Sequence, residues 1–508
     1  MSARGPIVIG VDQGTTNTKA VAVDGMGRIL AQAARPIAAA SPQPGWVEQD
    51  PLEMAGNVIG CINEVLAAAG CAAGEVAGLG IANQTETLVI WDAVTGEPAL
   101  PAMVWQCRRG EVEIGPFRRP EIAAFLRGRT GLDVDPTFTA AKLLWVARHH
   151  PALAQGLRSG AMLFGTVDCW LIWHLSGGRV YASEPGNASR TMLFSLAENG
   201  WDARLLALFG LEIARLPQTG PSARRFGQTR AGLFEAEIPI TAAMGDQQAS
   251  LFGHGCFSPG ELKVTYGTGA FVWANAGAAP PEPRDDGLIR TVAWDLGGPV
   301  YAVEGFVMSA GGVLNWLARH FGIAQEGAGV VALARAAGGA GGVVMVPAFQ
   351  GLASPWWRPD VRAVISGMSE ATSTGEICHA GLEAVCLNIR AVLESMARAG
   401  ICPALVRADG GPARSDYLMQ MQADILQTPL ALAATGELTP FGVALMAGLG
   451  AGLWPGVEAL RPFIGHASRL APDPAAAGRW EKAYRGWLAA VAASLTAADA
   501  ARMEDDMP

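Results

Sequence analysis

The sequence is poor in charge, in aromatic residues and in paired cysteines. Of its 508 residues, 16% are Asp, Glu, Lys or Arg and 7% are aromatic, and the formal charge is −9. That balance argues against a nucleic-acid partner, because phosphate-backbone affinity rests on clustered Lys and Arg that release counterions. Small anionic ligands stay open through local geometry. The eight cysteines (Cys61, Cys71, Cys107, Cys169, Cys256, Cys378, Cys386, Cys402) include no C-x-x-C pair and no neighbouring His at zinc spacing, so reduced, mostly buried thiols are expected. The seven histidines form no metal or triad pattern either, which leaves Ser-His-Asp hydrolysis without support. No segment is of low complexity, and 50% apolar content describes a globular chain. Only a short apolar run precedes Asp12, unlike a signal peptide, and a cytoplasmic location is expected. One uncharged stretch, Leu438 to Val457, is long enough to span a bilayer. Glycines and prolines interrupt it, and Thr439-Pro440 reads as an N-cap followed by proline at the first helical position, so a buried core helix is expected and no membrane insertion.

What the chain does carry is a strand-turn-strand pattern that occurs twice, about half a chain apart. The first runs Val8-Ile9-Gly10-Val11-Asp12-Gln13-Gly14-Thr15-Thr16-Asn17-Thr18-Lys19-Ala20-Val21, and the second Val264-Thr265-Tyr266-Gly267-Thr268-Gly269-Ala270-Phe271-Val272-Trp273. Glycines let the backbone approach an anion while threonine hydroxyls and successive N–H groups donate to it. A duplicated cradle points to one nucleotide held between two similar domains. Length agrees, since 508 residues exceed what one core usually organises. The boundary is placed near Gly253-His254-Gly255, giving domains 1–252 and 253–508.

Between the cradles the alternation continues. Arg28-Ile29-Leu30 begins a third strand after the Asp24-Gly25 turn, making an antiparallel meander at the edge of a mixed sheet. Asp50-Pro51-Leu52-Glu53 opens a helix to Ala69, with apolar spacing at Met54, Val58, Ile62 and Val65. Gly78 to Asn83 returns as a buried strand whose mouth carries Gln84, Thr85, Glu86 and Thr87, the kind of position where α/β folds bind ligands. In the second half, Leu405 to Gly411 reads as a strand entering a double glycine, followed by a helix from about Ser415 to Leu426.

These motifs resemble the FGGY carbohydrate kinases, and within them are most similar to the glycerol kinases. The likeness runs nearly end to end, through Asp12-Gln13-Gly14-Thr15-Thr16, Pro44-Gly45-Trp46-Val47-Glu48, Trp105-Gln106-Cys107-Arg108-Arg109, Asn187-Ala188-Ser189-Arg190-Thr191, Gly245-Asp246-Gln247-Gln248, Tyr266-Gly267-Thr268-Gly269 and Asp409-Gly410-Gly411. It implies an α/β architecture of two ribonuclease-H-like domains, of the actin and hexokinase type, closing an interdomain cleft on ATP and a small polyol or sugar. The N-terminal domain would lie on the acceptor and phosphate side and the C-terminal domain on the nucleotide side. Nucleic acid has no part in this expectation; oligomeric state, a homo-oligomer included, stays open.

Phosphoryl transfer to an alcohol needs a base beside the hydroxyl, a metal on the phosphates and donors for the spreading charge. By the resemblance Asp246 is the catalytic base; a helix N-cap for the residues after it is the plainer alternative. Asp12 would hold Mg2+, through water because that ion dehydrates reluctantly, or else it is a structural turn aspartate. Thr15, Thr16 and Asn17 would donate to the phosphates, with Lys19 as a point charge where the family often has arginine. Gly267 and Thr268 would meet the phosphates from the other domain. Gly311, Asn315, Gly411 and Ser415 are placed around the nucleoside, and each also reads as an ordinary helix-start or turn residue. Glu86, Trp105, Asp246, Gln247 and Phe271 match the family's polyol contacts.

Two positions depart from the glycerol kinase pattern. Thr85 stands where an arginine precedes the glutamate, and Thr137 where a tyrosine precedes Phe138. Each change removes a long hydroxyl-binding side chain, a loss on the order of 1–3 kcal/mol per buried partner. A pocket widened for a polyol or ketose of four or five carbons follows; glycerol itself is the alternative, with water or another side chain filling the gap. A rival of another class is an actin-like ATPase without a metabolite acceptor, which the hydroxyl-binding set speaks against. A third departure concerns regulation. Inhibited glycerol kinases carry a glycine-rich basic loop for a sugar bisphosphate, whereas this chain reads Arg230-Ala231-Gly232-Leu233-Phe234-Glu235-Ala236-Glu237. Two glutamates repel a bisphosphate. Titration with millimolar fructose bisphosphate is expected to leave activity unchanged, and a dose-dependent loss would contradict this.

Overall fold

The computed structural model describes residues 5–505. Its first sheet has six strands: β1 (Ile7–Gln13), β2 (Asn17–Asp24), β3 (Ile29–Pro36), β4 (Val76–Asn83), β5 (Ala223–Gln228) and β6 (Pro239–Gly245), in the order β5-β6-β4-β1-β2-β3. β1, β2 and β3 form the antiparallel meander, β4 and β6 add in parallel, and β5 closes the far edge antiparallel to β6. The second sheet repeats the core of this order, read from the other edge and with one added edge strand, Ile289–Asp295. Its strands are β7 (Leu262–Tyr266), β8 (Ala270–Gly277), β9 (Ile289–Asp295), β10 (Pro299–Val307), β11 (Val406–Gly410), β12 (Leu430–Ala433) and β13 (His466–Leu470), in the order β9-β10-β8-β7-β11-β12-β13. Here β7, β8 and β10 are the meander, and β11 and β12 are the parallel additions. The two glycine-threonine turns are therefore equivalent hairpins, β1–β2 and β7–β8, on two copies of one topology.

The helices begin where local chemistry tells them to. Helix α1 (Pro51–Ala69) starts with Asp50 accepting the Leu52 N–H and ends at Gly70 in the left-handed region (φ 59°). It is 19 residues long and apolar enough by composition to cross a membrane, yet its Met54, Val58, Ile62 and Val65 face is buried in the first core with β1, β2 and β4. Helix α2 (Asp246–Gly253) follows β6 directly, α3 (Gly311–His320) follows β10, and α4 (Thr374–Arg398) opens on a Ser373–Glu376 capping box. Helix α5 (Asp416–Leu426) is capped by Ser415.

Helix α6 (Leu438–Gly450) is the expected buried helix, with a different start. Glu437, not Thr439, occupies the N-cap, and it does so without a side-chain cap bond because its carboxylate is paired with Lys19. Pro440 still falls in the first turn, where its missing N–H leaves no bond unmade. Although α6 comes late in the chain, it lies on the first sheet and on α2. Glycines permit the contact. A Cβ on Gly10 would come 1.9 Å from Pro440 O, on Gly80 2.3 Å from Val443 O, and on Gly442 2.0 Å from Ala249 O. A core cluster of Val8, Val21 and Ala82 from the first sheet, Trp273 and Ala302 from the second, and Phe441 and Val443 of α6 joins the two halves.

Because the Gly10 obstacle is backbone rather than a movable side chain, Gly10→Ala is expected to cost on the order of 2–3 kcal/mol. Gly56→Ala, in α1 with open space around its Cα, should be neutral or stabilising by about 0.5–1 kcal/mol. Urea unfolding of the two variants checks the contrast; equal stabilities would refute the close approach.

Candidate active site

The first turn is closed by Gly14 N–H donating to Asn17 O at 3.1 Å. Thr15 is tied down on every side: its Oγ1 accepts from Trp105 Nε1 at 2.9 Å and donates to Gln84 Oε1 at 3.1 Å, and its carbonyl accepts from Gln49 Nε2 at 2.7 Å. The tryptophan expected at the acceptor is thus bonded to the turn expected at the phosphates. Thr16 is exposed and Asn17 half-buried at the turn's outer face. Lys19 stands opposite Asp12 in the hairpin register and pairs with Glu437 at 3.0 Å, which shares its charge with a carboxylate.

Asp12 is the last residue but one of β1, with its Oδ1 buried and without a hydrogen-bond partner. Burial pushes its carboxyl up to about 8, Asp246 and Glu437 add to the rise, and Lys19 opposes it. Asp246 is the first residue of α2, half-buried, its Oδ1 accepting the Gln247 N–H at 2.7 Å. Its carboxyl is pushed up to about 6, by burial first and then by Glu86; the Gln247 N–H, Lys263 and Arg190 pull it back. In the sheet register Asp12 stands opposite Ala82 and Gly245 opposite Asn83, so Asp12, Glu86 and Asp246 gather at the same end of the adjacent strands β1, β4 and β6. A carboxylate oxygen left bare there suits a cation carried in on phosphates, and among the described residues no preformed cluster of three metal-binding side chains exists to compete.

Glu86 sits at φ 63°, a left-handed residue in the turn after β4 that points its carboxylate inward. Arg190 Nε donates to Glu86 Oε1 at 2.5 Å, and Arg190 Nη1 donates to Glu304 Oε2 on β10 at 2.7 Å. All three side chains are about 95% buried, so this guanidinium bridges the two halves in a dry setting. Sequence reasoning quoted Arg190 in a motif and gave it no role, and it passed over Glu304. A signal existed: Arg190 is the sole charge between Gly186 and Leu196, a run otherwise fit for a core.

The two departing threonines are close but turned aside. Thr85 is buried against Gly245, whose added Cβ would lie 2.6 Å from Thr85 Cγ2. Thr137 spends its hydroxyl on Asp135 Oδ1 at 2.5 Å, so it presents no free donor in place of a longer side chain. Its carbonyl accepts from Lys142, a buried ammonium pushed down to about 8 by burial and opposed by Glu86. Phe271 stacks on Phe306 with ring centroids 4.6 Å apart.

On the second sheet, Gly267 and Thr268 are exposed in the β7–β8 turn. Gly267 O accepts from Gly311 N at 2.9 Å, and Thr268 O accepts from Ala310 N and Gly312 N at 2.8 Å, so the turn is docked on the start of α3. A Cβ on Gly311 would lie 2.6 Å from Gly267 O and 3.2 Å from Pro412 Cγ. The β11 exit therefore lies against the same turn, with Gly411 facing open space. Gly267, Thr268, Gly311 and Gly411 come together; Asn315 is exposed one turn along α3. Ser415 caps α5 by accepting the Leu418 N–H at 3.3 Å and lines a 510 Å³ cavity with Ala328, Arg335 and Tyr417.

Both halves match family models: residues 7–253 match the FGGY family of carbohydrate kinases, N-terminal domain, and residues 262–451 its C-terminal domain. A glycerol kinase of Aromatoleum aromaticum is 41% identical over 494 residues, covering 95% of this chain and 99% of that protein. One of Stenotrophomonas maltophilia is 41% identical over 491 residues, 96% of this chain and 98% of that protein. Among solved structures, Plasmodium falciparum glycerol kinase with ADP superposes with a TM-score of 0.89 at 29% identity, covering 96% and 98% of the two chains. A xylulose kinase from Rhodospirillum rubrum gives 0.84 at 26% identity, covering 97% and 100%. These matches remove the reading of an actin-like ATPase without a metabolite acceptor. With family models matching both halves and relatives 41% identical over nearly its whole length, the chain belongs to the FGGY family of carbohydrate kinases.

Proposed function

We propose that this kinase moves the γ-phosphoryl group of ATP to a hydroxyl of a polyol or ketose of four or five carbons, in the cytoplasm. ATP-dependent phosphorylation of a polyol or sugar is the reaction of its family; the longer acceptor is the finer claim. Asp246 carries the reading. It stands at the head of α2 with an ionisation near neutrality, where a base is both mostly deprotonated and still basic enough to accept a proton. It takes the acceptor's hydroxyl proton as the oxygen attacks the γ-phosphorus and the bond to ADP breaks. The exposed Gly267-Thr268 turn and the Thr15-Thr16-Asn17 turn donate to the phosphates from opposite halves, and Trp105 and Phe271 cover the acceptor's carbons. Gly311, Asn315, Gly411 and Ser415 border the nucleoside. Asp12 fits Mg2+ through water by its bare Oδ1, and the ion, when bound, neutralises charge on the phosphates. The working division is 1–252 for acceptor and phosphates and 253–508 for the nucleotide. Cys61, Cys107, Cys169, Cys256, Cys378 and Cys386 are buried free thiols, which supports a reducing compartment.

The four- or five-carbon acceptor follows from Thr85 and Thr137, both short and both turned to protein neighbours. Glycerol is the second reading, favoured by the 41% identical relatives. Steady-state kinetics with glycerol, tetritols, pentitols and pentuloses is expected to give a longer acceptor a kcat/KM about tenfold above that of glycerol; a preference for glycerol establishes the second reading.

Asp246→Asn is expected to lower kcat by about 10²–10⁴ with nucleotide affinity retained, and unchanged turnover would remove Asp246 as base. The pH profile has a definite sign. The base works deprotonated, so wild-type kcat/KM should fall as pH drops through about 6, and a flat profile between pH 5 and 8 contradicts the assignment.

A further inference from the structure

Lys263 is wholly buried on β7 and has no part in the steps above. Its Nζ donates to Gln247 Oε1 at 2.6 Å and to Thr265 Oγ1 at 2.7 Å. Thr265 in turn donates to Asp409 Oδ1 at 2.6 Å, directly across the β7–β11 register, and His254 Nε2 lies 3.4 Å from that same oxygen. A line of hydrogen bonds therefore runs from the strand that ends in the Gly410-Gly411 turn to the helix that carries Asp246 and Gln247.

A carboxamide has two faces of opposite character, one that accepts and one that donates, and an ammonium can only donate. Beside Lys263, Gln247 has a single sensible orientation: Oε1 toward the lysine, Nε2 away from it. Turned the other way, the amide would set two donors against each other in a buried site. Gln247 is half-buried, and its Nε2 has no hydrogen-bond partner among the described residues. Thr265 holds the lysine in turn, since its hydroxyl proton is committed to Asp409 and its lone pairs are left to accept from Nζ.

We propose that Lys263 is a positioning residue that sets acceptor specificity: it locks the Gln247 carboxamide so that only N–H donors face the cleft, where they take an acceptor group by its oxygen. The group recognised is one that accepts a hydrogen bond, a hydroxyl or a ketose carbonyl beside the reacting hydroxyl. An ammonium in that place is refused because it meets donors only. The inference rests on Asp246 and Gln247 lining the acceptor site.

Two variants test it, with KM for acceptor and for ATP, kcat and melting temperature measured for each. Lys263→Met frees the carboxamide to rotate and should raise the acceptor KM about tenfold, with the ATP KM unchanged to within about twofold. Gln247→Glu keeps a partner for Lys263, so its melting temperature should equal or exceed that of the wild type. Its outward oxygen only accepts, so acceptor affinity should still fall about tenfold while an amino-substituted acceptor gains relative to its hydroxyl parent. An unchanged acceptor KM in folded Lys263→Met, or wild-type acceptor preference in Gln247→Glu, overturns the proposal. If Lys263→Met does not fold, Gln247→Glu decides. Asp246→Asn separates the two levels: normal turnover there removes the base assignment, whereas a dead Asp246→Asn beside an indifferent Lys263→Met removes only the role of Lys263.

Discussion

Asp12, Glu86, Asp246, Glu304 and Asp409 are all buried or half-buried acids, and the fold can hold so many carboxylates because Arg190, Lys263 and Lys19 stand among them. Burial alone drives such groups toward their neutral forms, as the raised Asp12 and Asp246 carboxyls show. Arg190 answers Glu86 and Glu304 with two short bonds, while burial pushes the Lys263 ammonium down and Asp409, Asp246 and Glu304 oppose that fall. Removing one partner from a buried ionic set leaves an uncompensated charge, which is costlier than never having built the set. The cations are therefore as much part of this buried ionic set as the acids are.

The same charges join the halves. Glu86 follows a strand of the first sheet, Glu304 lies within the second, and Arg190 spans them; Gln247 belongs to α2 and Lys263 to β7. Beside these bonds sits an apolar seam of Val8, Ala82, Trp273 and Phe441. Polar bonds and a packed core thus both tie the halves together, and each half carries its glycine-threonine turn on a hairpin of its sheet. The duplication explains why both turns lie at equivalent points of the topology.

Much of this was legible along the chain. The Asp50-Pro51 start of α1, the Ser415 cap of α5, the β1–β2–β3 meander and both hairpin turns depend on residues a few positions apart, where capping, periodicity and glycine conformation act directly. The start of α6 was misread at Thr439 because Glu437 owes its place to Lys19, a partner more than 400 residues away. The Thr137 hydroxyl donates to Asp135, two residues back, a pairing that its place in the family pattern does not announce. Gly381 of α4 sits where a Cβ would meet Leu317 Cδ1 at 2.6 Å, which lets α4 approach α3.

By itself, the amino-acid order determined the strands, caps and turns and, through ordered motifs, the family to which they belong. These follow from short-range sterics and hydrogen bonding that each segment carries with it. Which carboxylates meet, which cation answers each of them, and which way the Gln247 amide points were decided only in three dimensions. Those depend on burial and on distances between side chains far apart in sequence, and neither exists until the sheets have packed.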